Sequence, residues 1–414
     1  MYEHAQTTNH GAGLPPPDVQ HDRDGRRNSG ASVVLRTVLD HGPVPRSTIA
    51  LLTRLSPATV SRHCTSLARQ GLLRDVAQAP TGVGRPHVPV DIDLRRYLVA
   101  GLHIAVRHAT LALMDLRGRV VATQRNPHDG GDAGSVLEGI VAHVPDFLVT
   151  HAGGRSPLGL GIATGGWVDS TSGVVVRNSL LGWRDVPVRD VVATSVRLPV
   201  YIDGHARALA RAEQLFGDAR ASARVSMVHL FIGNVVDAAF ATGGSVHYGP
   251  RSAAGEIAHL AMDGGREPCD CGRVGCLQAE VSDQAVADRA ARDGIIAEPS
   301  LPALLSKARA GDARALELMR ERARMIGRAA ALLLDVLNPE VLVVTEMGIA
   351  HLPLCLADLR ATVRAHARLW GDEQRRIVPT SFAGSVLATA GAAVMLDSLY
   401  ADPAAHLPTL SRAS

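Results

Sequence analysis

The sequence lacks the features of membrane, secreted and disulfide-rich proteins. No apolar run approaches the roughly 20 residues that a membrane-spanning helix needs. The N-terminal stretch is polar and proline-rich, which does not fit a secretory signal. Only five of the 414 residues are cysteines, so a disulfide framework is not expected. These absences predict a cytoplasmic protein without a membrane partner, and the length predicts two or three domains.

Lysine is almost missing, since Lys307 is the only one, and arginine therefore carries nearly all of the positive charge. The net charge of +3 is modest, but it is unevenly distributed. Residues 23–85 contain ten arginines against three aspartates, a local charge of +7. A basic segment on a nearly neutral chain indicates a polyanionic partner. A merely solvated basic surface is the alternative.

The basic segment overlaps a predicted winged helix-turn-helix at residues 30–93, which follows a predicted disordered tail at residues 1–29. Three amphipathic helices are expected, and then two strands around a turn at residues 80–84. Ser56 can cap the third helix, and Pro57 suits the first helical position. Arg54 occupies the tight turn before this helix, where glycine is common.

The outer face of the third helix carries short polar side chains and one arginine, which suit entry into a DNA major groove. Arg85, at the tip of the predicted wing, can reach a minor groove or a phosphate. We therefore predict double-stranded DNA as a partner, and a generic helical hairpin is the alternative. The predicted DNA contacts are Ser56, Ala58, Thr59, Ser61, Arg62, Thr65 and Arg85.

The remaining chain mixes strands with helices, including one helix predicted near residues 135–148. This mixture predicts an α/β body at residues 94–400, with two similar lobes and a cleft between them. Residues 401–414 are predicted to be a C-terminal tail.

One stretch of the body has the composition of a metal site. Three thiolates and one imidazole form the ligand set of a tetrahedral structural zinc, which has no open position. Gly272 and Gly275 allow the backbone to fold back so that the last cysteine completes the set. Unpaired thiols or a disulfide are the alternatives. The predicted ligands are His259, Cys269, Cys271 and Cys276.

With these motifs in place, the chain resembles the ROK family of repressors, open reading frames and sugar kinases over roughly residues 31–400. The most specific matches are A-G-E-I-A-H at Ala254–His259 and C-x-C-G-x-x-G-C-L at Cys269–Leu277. The resemblance implies a two-lobed, actin-like body with a sugar-kinase (ribonuclease H-like) fold. The DNA-binding head resembles the repressor branch, whose members are usually homodimers or homotetramers.

Positions that serve catalysis in the kinases of this family are altered. His103, Ala105, Val106 and Arg107 stand where kinase members carry an Asp, two glycines and a Thr around the ATP phosphates. His205 stands at the catalytic Asp. We therefore expect a regulator, most simply a repressor, that is not an enzyme. A sugar kinase with a DNA-binding head is the alternative, and a body that only dimerises is a third interpretation.

The resemblance also implies an effector site for a sugar or sugar-derived compound. Glu256 and His259 hold family positions that contact sugar hydroxyls, and Gln278 replaces a customary Glu. Gly204 and His205 remove two customary hydroxyl partners, so a changed or lost specificity is expected. The predicted effector contacts are Glu256, His259, Gln278 and His205.

Overall fold

The computed structural model describes residues 29–77, 88–128, 130–368 and 376–406. The described chain begins with three helices and a two-stranded antiparallel sheet, in the order predicted. Residues 1–28 of the predicted tail, residues 78–87 with the predicted turn and Arg85, and residues 407–414 lie outside the described residues. The first elements are α1 (Gly30–His41), α2 (Arg46–Thr53), α3 (Pro57–Arg69), β1 (Leu73–Asp75) and β2 (Val90–Ile92).

Local chemistry explains how α3 begins. Arg54 lies in the left-handed region with φ of 58°, the backbone conformation for which glycine is the usual choice. The Ser56 hydroxyl accepts a hydrogen bond from the Thr59 amide, as an N-cap does. The inward face of α3 is buried against α1 through Val60, Cys64 and Leu67.

A five-stranded sheet forms the first lobe, with the order β10-β6-β3-β4-β5. β3 pairs in parallel with β6 and antiparallel with β4. A three-stranded sheet, β7-β8-β9, lies beside it. The elements of this part are β3 (Tyr97–Ile104), β4 (His108–Met114), β5 (Val120–Pro127), α4 (Ala133–Ala142), α5 (Val144–His151), β6 (Ser156–Thr164), β7 (Trp167–Asp169), β8 (Val174–Asn178), β9 (Trp183–Val186), α6 (Val188–Ser195) and β10 (Val200–Gly204).

The second lobe repeats this pattern, with the order β13-β12-β11-β14-β15. β11 pairs antiparallel with β12 and in parallel with β14, as β3 does with β4 and β6. The predicted α/β class is therefore confirmed. The elements are α7 (His205–Phe216), α8 (Arg220–Val225), β11 (Ser226–Ile232), β12 (Val236–Thr242), β13 (Ser245–Val246), α9 (Leu277–Val281), α10 (Asp283–Arg292), α11 (Leu301–Arg309), α12 (Ala313–Leu337), β14 (Val341–Thr345), α13 (Met347–His351), α14 (Pro353–His366), β15 (Ile377–Pro379) and α15 (Val386–Ala401).

Helices α7 and α15 pack on each other between the two sheets, α15 against β3 and β6 and α7 against β11 and β12. Glycines bring α15 directly onto the first sheet. A Cβ at Gly161 would lie 2.2 Å from the carbonyl oxygen of Gly391. Such contact between backbones leaves α15 little freedom to shift relative to the sheet.

The three N-terminal helices share an apolar core with the first lobe, in which Val34 and Leu35 of α1 belong to the same cluster as Leu399 and Tyr400 of α15. Ser32 Oγ donates to the Tyr400 carbonyl at 2.6 Å. The boundary predicted at residues 93 and 94 falls between β2 and β3, and it stays a prediction. Among the described residues, no helix combines the length and apolarity needed to cross a bilayer.

Candidate metal site and interlobe recess

The structure brings the four predicted metal ligands together. The donor atoms of His259, Cys269, Cys271 and Cys276 all lie within 4.8 Å of one another. Cys269 Sγ is 3.5 Å from His259 Nδ1, and Cys271 Sγ is 3.6 Å from Cys276 Sγ. Ligands about 2.0–2.3 Å from a tetrahedral ion are themselves about 3.5–3.8 Å apart. The cluster therefore has the dimensions of a site that could hold a metal ion.

Backbone hydrogen bonds shape the loop that carries these ligands. The Cys269 amide donates to the Arg273 carbonyl, and the Gly272 amide donates to the Cys269 carbonyl, both at 2.8 Å. Gly272 has φ of 85° and Gly275 has φ of 77°, in the region that glycine tolerates best. The tight turn places the sulfurs of Cys269 and Cys271 on one side of the loop.

The pKa values of the side chains in the cluster are shifted in different directions. A hydrogen bond from Arg273 lowers the pKa of the Cys271 thiol to about 6. Burial raises the pKa of the Cys276 thiol to about 11. Burial and then Arg273 lower the pKa of His259, which favours the neutral imidazole that binds metals. Since the thiolate is the form that binds a metal, metal binding by this set would release the proton of Cys276.

A small recess lies between the lobes. Its cavity volume is about 10 Å³, roughly the space of one water molecule. Three of its lining residues are glycines, so backbone atoms form the wall at those positions. The lining residues are Gly166, Gly204, Ala206, Arg207, Asp237, Ala238, Ala254, Gly255 and Glu256.

Two carboxylates face this recess, and their environments differ. Glu256 is accessible to solvent, but the recess wall desolvates its carboxyl and Asp237 adds a like charge, so its pKa rises to about 7. Asp237 is buried and pairs through Oδ2 with His205 Nε2 at 3.0 Å. His205 is itself 4% exposed, at the start of α7.

The predicted effector contacts are thus only partly assembled. Glu256 lines the recess, and His205 reaches it through Asp237. His259 belongs to the metal cluster. Gln278 Oε1 accepts a hydrogen bond from the Val236 amide at 3.3 Å, so this side chain connects α9 to the β12 backbone. Neither His259 nor Gln278 is among the residues that line the recess.

Arg207 is a recess residue that sequence reasoning missed. Its Nε donates to Asp203 Oδ1 at 2.6 Å. Its Nη2 donates to the Val168 carbonyl at 2.8 Å, and its Nη1 to the Ser252 carbonyl at 2.9 Å. The guanidinium therefore connects a strand of the first lobe with the loop that follows β13 in the second lobe. The only hint in the sequence is an Asp–Arg pair four residues apart across a helix start.

The hairpin of β3 and β4 contributes a buried histidine that packs beside His205. His103 is 3% exposed and stacks on His205, with ring centroids 5.9 Å apart and planes 5° apart. Burial holds the pKa of His103 well below its usual range, so its ring is neutral. A second packing partner of His205 is Phe231, at 3.9 Å between centroids.

The predicted DNA contacts that the structure describes lie on one outward surface of α3 and the turn before it. Ser56, Ala58, Ser61, Arg62 and Thr65 are exposed, and Thr59 is half-buried. Arg85, the remaining predicted contact, lies outside the described residues.

Comparison with known proteins agrees with these observations. A sequence model of the ROK family matches residues 99–398. A transcriptional regulator of Mycobacterium tuberculosis is 36% identical over 390 residues, which is 91% of this chain and 87% of the relative. A putative xylose repressor of a Caldicellulosiruptor species is 27% identical over 349 residues, which is 81% of this chain and 87% of the relative.

A solved structure extends the likeness to the whole fold. It belongs to a ROK family transcriptional regulator described as a homologue of the Escherichia coli MLC protein. The two structures superpose with a TM-score of 0.76 over 92% of this chain and 98% of that chain. At 22% sequence identity, the likeness shows a shared fold.

Proposed function

This chain belongs to the ROK family, and from that premise we propose that it is a cytoplasmic, DNA-binding transcriptional regulator that acts as a repressor. The observation that carries the proposal is the exposed polar face of α3. This helix has a capped N-terminus and a fully buried inner face, so its outer side chains are free to meet DNA. The relative that is 36% identical is itself named a transcriptional regulator.

The proposed DNA-binding domain, or head, is a winged helix-turn-helix at residues 30–93. Arg62 and Thr65 project from α3, where a major groove would present base edges and phosphates. The paired strands β1 and β2 form the base of a wing whose tip would carry Arg85. The basic segment supplies the sequence-independent attraction to phosphates.

We propose zinc as the ion of the cysteine–histidine cluster. The donor set of three sulfurs and one imidazole nitrogen is typical of structural zinc, and four protein ligands leave no coordination position for a substrate. Zinc would brace residues 259–276 against the second lobe. His259, Cys269, Cys271 and Cys276 would hold it.

The proposed effector is a sugar or a sugar-derived compound that binds at the interlobe recess. The walls offer hydrogen-bond acceptors, namely the carboxylates of Glu256 and Asp237 and the Ala254 carbonyl, which accepts from Arg207 at 3.4 Å. A polyhydroxyl compound supplies matching donors. Since the recess is far smaller than a hexose, binding requires the lobes to separate and Arg207 to move. His205, His259 and Gln278 stay proposed contacts of that opened form.

A sugar kinase is the rival function, and the site geometry argues against it. A kinase needs a carboxylate base and close backbone approach to phosphates. His205 is instead paired with Asp237 and covered by Phe231 and His103. Sugar-dependent ATP hydrolysis that disappears in His205→Ala would overturn the non-enzymatic assignment.

The regulator is proposed to act as a homodimer or homotetramer, so that paired heads contact a near-palindromic operator. Footprinting of the purified full chain on DNA upstream of its own gene tests the function. Protection of a two-fold related sequence is expected, with Kd rising steeply as salt increases. Uniform weak binding to every fragment would contradict the proposal.

A further inference from the structure

A row of alternating charges runs from the interlobe recess to the first N-terminal helix. Asp203 Oδ1 binds Arg207 Nε at 2.6 Å, and Asp203 Oδ2 binds Arg211 Nη2 at 3.1 Å. Asp397 Oδ2 then binds Arg211 Nε at 3.3 Å, and Asp397 Oδ1 binds Arg36 Nη2 at 3.5 Å. Each carboxylate is shared between two guanidinium groups.

We propose that this row, Arg207–Asp203–Arg211–Asp397–Arg36, is a relay through which occupancy of the recess changes the position of the N-terminal helices. The relay rests on the proposed function, since it connects the effector recess with the DNA-reading head. It links four elements: β10 through Asp203, α7 through both Arg207 and Arg211, α15 through Asp397 and α1 through Arg36.

Burial makes the row an effective connection. Asp203 is 0% exposed, and Arg207, Arg211 and Asp397 are at most 8% exposed. Charges in such an environment interact strongly and are little screened by salt. A buried charge that loses its partner is costly. If Arg207 leaves Asp203, the carboxylate must therefore shift toward Arg211, which alters the pairing with Asp397.

Tyr248 contacts the row at its recess end. Its hydroxyl donates to Asp203 Oδ2 at 3.2 Å. Its ring lies 5.6 Å from the guanidinium carbon of Arg207 and also 5.6 Å from that of Arg211. Both arginines thus share one carboxylate and one aromatic ring, so a displacement of Arg207 changes the surroundings of Arg211 directly.

Arg207 is the member that a ligand would displace. Its guanidinium lines the recess and donates to the Ala254 carbonyl of the recess wall at 3.4 Å, as well as to the carbonyls of Val168 and Ser252. A polyhydroxyl ligand donates to the same acceptors and would compete with it. Ligand entry therefore exchanges an internal donor for an external one, and it releases Arg207 without leaving the carbonyls unpaired.

The other end of the row, at Arg36, connects α15 to the N-terminal helices through several contacts. Arg36 Nε also donates to the Tyr400 carbonyl at 3.4 Å, beside the bond from Ser32. The end of α15 and helix α1 are therefore joined by hydrogen bonds, an ion pair and a shared apolar core. Since α1 packs on α3, a shift of α15 reaches the DNA-reading helix.

A double-mutant cycle in DNA affinity tests the relay. The DNA is the genomic fragment that the wild-type full chain selects, and the variants are Arg207→Met and Arg36→Met, singly and together. Residues without a connecting network act independently within about twofold in Kd. We expect the double variant to depart from the product of the single effects by about threefold to tenfold.

A matched control separates the relay from a general weakening of the contacts between α1 and the rest of the chain. Arg224 binds Asp40 of the same helix α1, with Nη2 2.9 Å from Oδ1, but it lies outside the row. Arg207→Met combined with Arg224→Met should be multiplicative within twofold. The relay is wrong if the Arg207 and Arg36 effects are multiplicative, or if Arg224 couples to Arg207 equally strongly.

Hydrogen exchange provides a test that needs no DNA. In Arg207→Met, amides of α1 at residues 33–41 should exchange faster than in the wild type, whereas Arg224→Met with Arg207 intact leaves residues 203–211 unchanged. Faster exchange confined to residues 203–211 in Arg207→Met would overturn the relay. If the wild type selects no DNA, the proposed function fails, and the exchange measurement still decides whether the recess and α1 are coupled.

Discussion

Replacement of Cys276 by serine tests the metal site most sharply. Cys276 is 1% exposed, so the variant exchanges a buried thiolate ligand for a hydroxyl that no solvent reaches. A structural zinc contributes on the order of 10 kcal/mol to the folding of the segment it holds. Three backbone bonds would still anchor the loop after metal loss: Met262 N to Gly275 O, Leu277 N to Leu260 O, and Gln278 N to Ala258 O.

These three bonds set the expected change in the rate of amide hydrogen exchange. At about 1 kcal/mol each, they leave the metal-free loop with about 3 kcal/mol of protection. With metal, the same amides open only with the whole body, at about 5–15 kcal/mol. The exchange of the Met262, Leu277 and Gln278 amides should therefore accelerate by at least tenfold in Cys276→Ser, while strands β3 and β6 keep most of their protection.

The assay combines the metal content of each chain with exchange at those amides. Cys355→Ser is the control, because Cys355 is also fully buried, lies in α14 outside the cluster, and has its pKa raised to about 12 by burial. The control should keep one metal per chain. One metal per chain in Cys276→Ser would refute the ligand set, and metal loss without faster exchange would refute the bracing role.

The remaining predictions concern the head, the recess and the packing of α15. Arg62→Ala should weaken operator binding by about 1–3 kcal/mol if Arg62 reads a base. Arg69 is exposed at the far end of α3, so Arg69→Ala should change operator binding little. Equal footprints for both variants would exclude base reading by Arg62. The raised pKa of Glu256, about 7 against an ordinary 4.5, means that its contribution to stability is present below about pH 4.5 and is lost as the pH rises through 7. Glu256→Gln should therefore flatten the fall in unfolding free energy between these pH values, as urea titrations at several pH values would measure; an unchanged slope would contradict the assigned environment. Gly161→Ala should cost about 1–3 kcal/mol of unfolding free energy, because its Cβ would lie 2.2 Å from the Gly391 carbonyl oxygen. The Cβ of Gly139→Ala in α4 would meet no atom within 4 Å, so this variant should not be destabilised. Similar melting temperatures for both variants would show that α15 can shift.

The metal cluster was predictable because its geometry is local. Its four ligands fall within 18 consecutive positions, His259 to Cys276, and glycines mark the turns between them. The start of α3 was predictable for the same reason, since the cap and the proline are adjacent. The tight turn expected at Arg54 is present, and its backbone is left-handed although the side chain there is not glycine.

One helix prediction that rested on a local pattern was wrong. One helix was predicted near residues 135–148, but α4 ends at Ala142 and α5 begins at Val144. Pro145 has no amide hydrogen to donate, so a continuous helical ladder cannot pass through it. The proline lies in the first turn of α5, where it is well accommodated. The apolar periodicity on both sides concealed this break.

The recess could not be predicted, because its contacts join distant positions. Arg207 meets the carbonyl of Ser252, which lies 45 positions away, and Arg36 meets Asp397, which lies 361 positions away. Hydrophobic periodicity gives the faces of elements but not which charged side chains meet between them. The family resemblance named Glu256, which lines the recess, together with Gln278 and His259, which do not line it; their role as effector contacts stays a prediction.

Genome-wide mapping of the DNA that the full chain occupies in cells tests whether this regulator reads DNA through α3. A small set of sharp sites that share a near-palindromic sequence is expected, and Arg62→Ala should lose them while its protein level is unchanged. Occupancy spread evenly along the chromosome, or sharp sites that persist in Arg62→Ala, would contradict a regulator that reads DNA through α3.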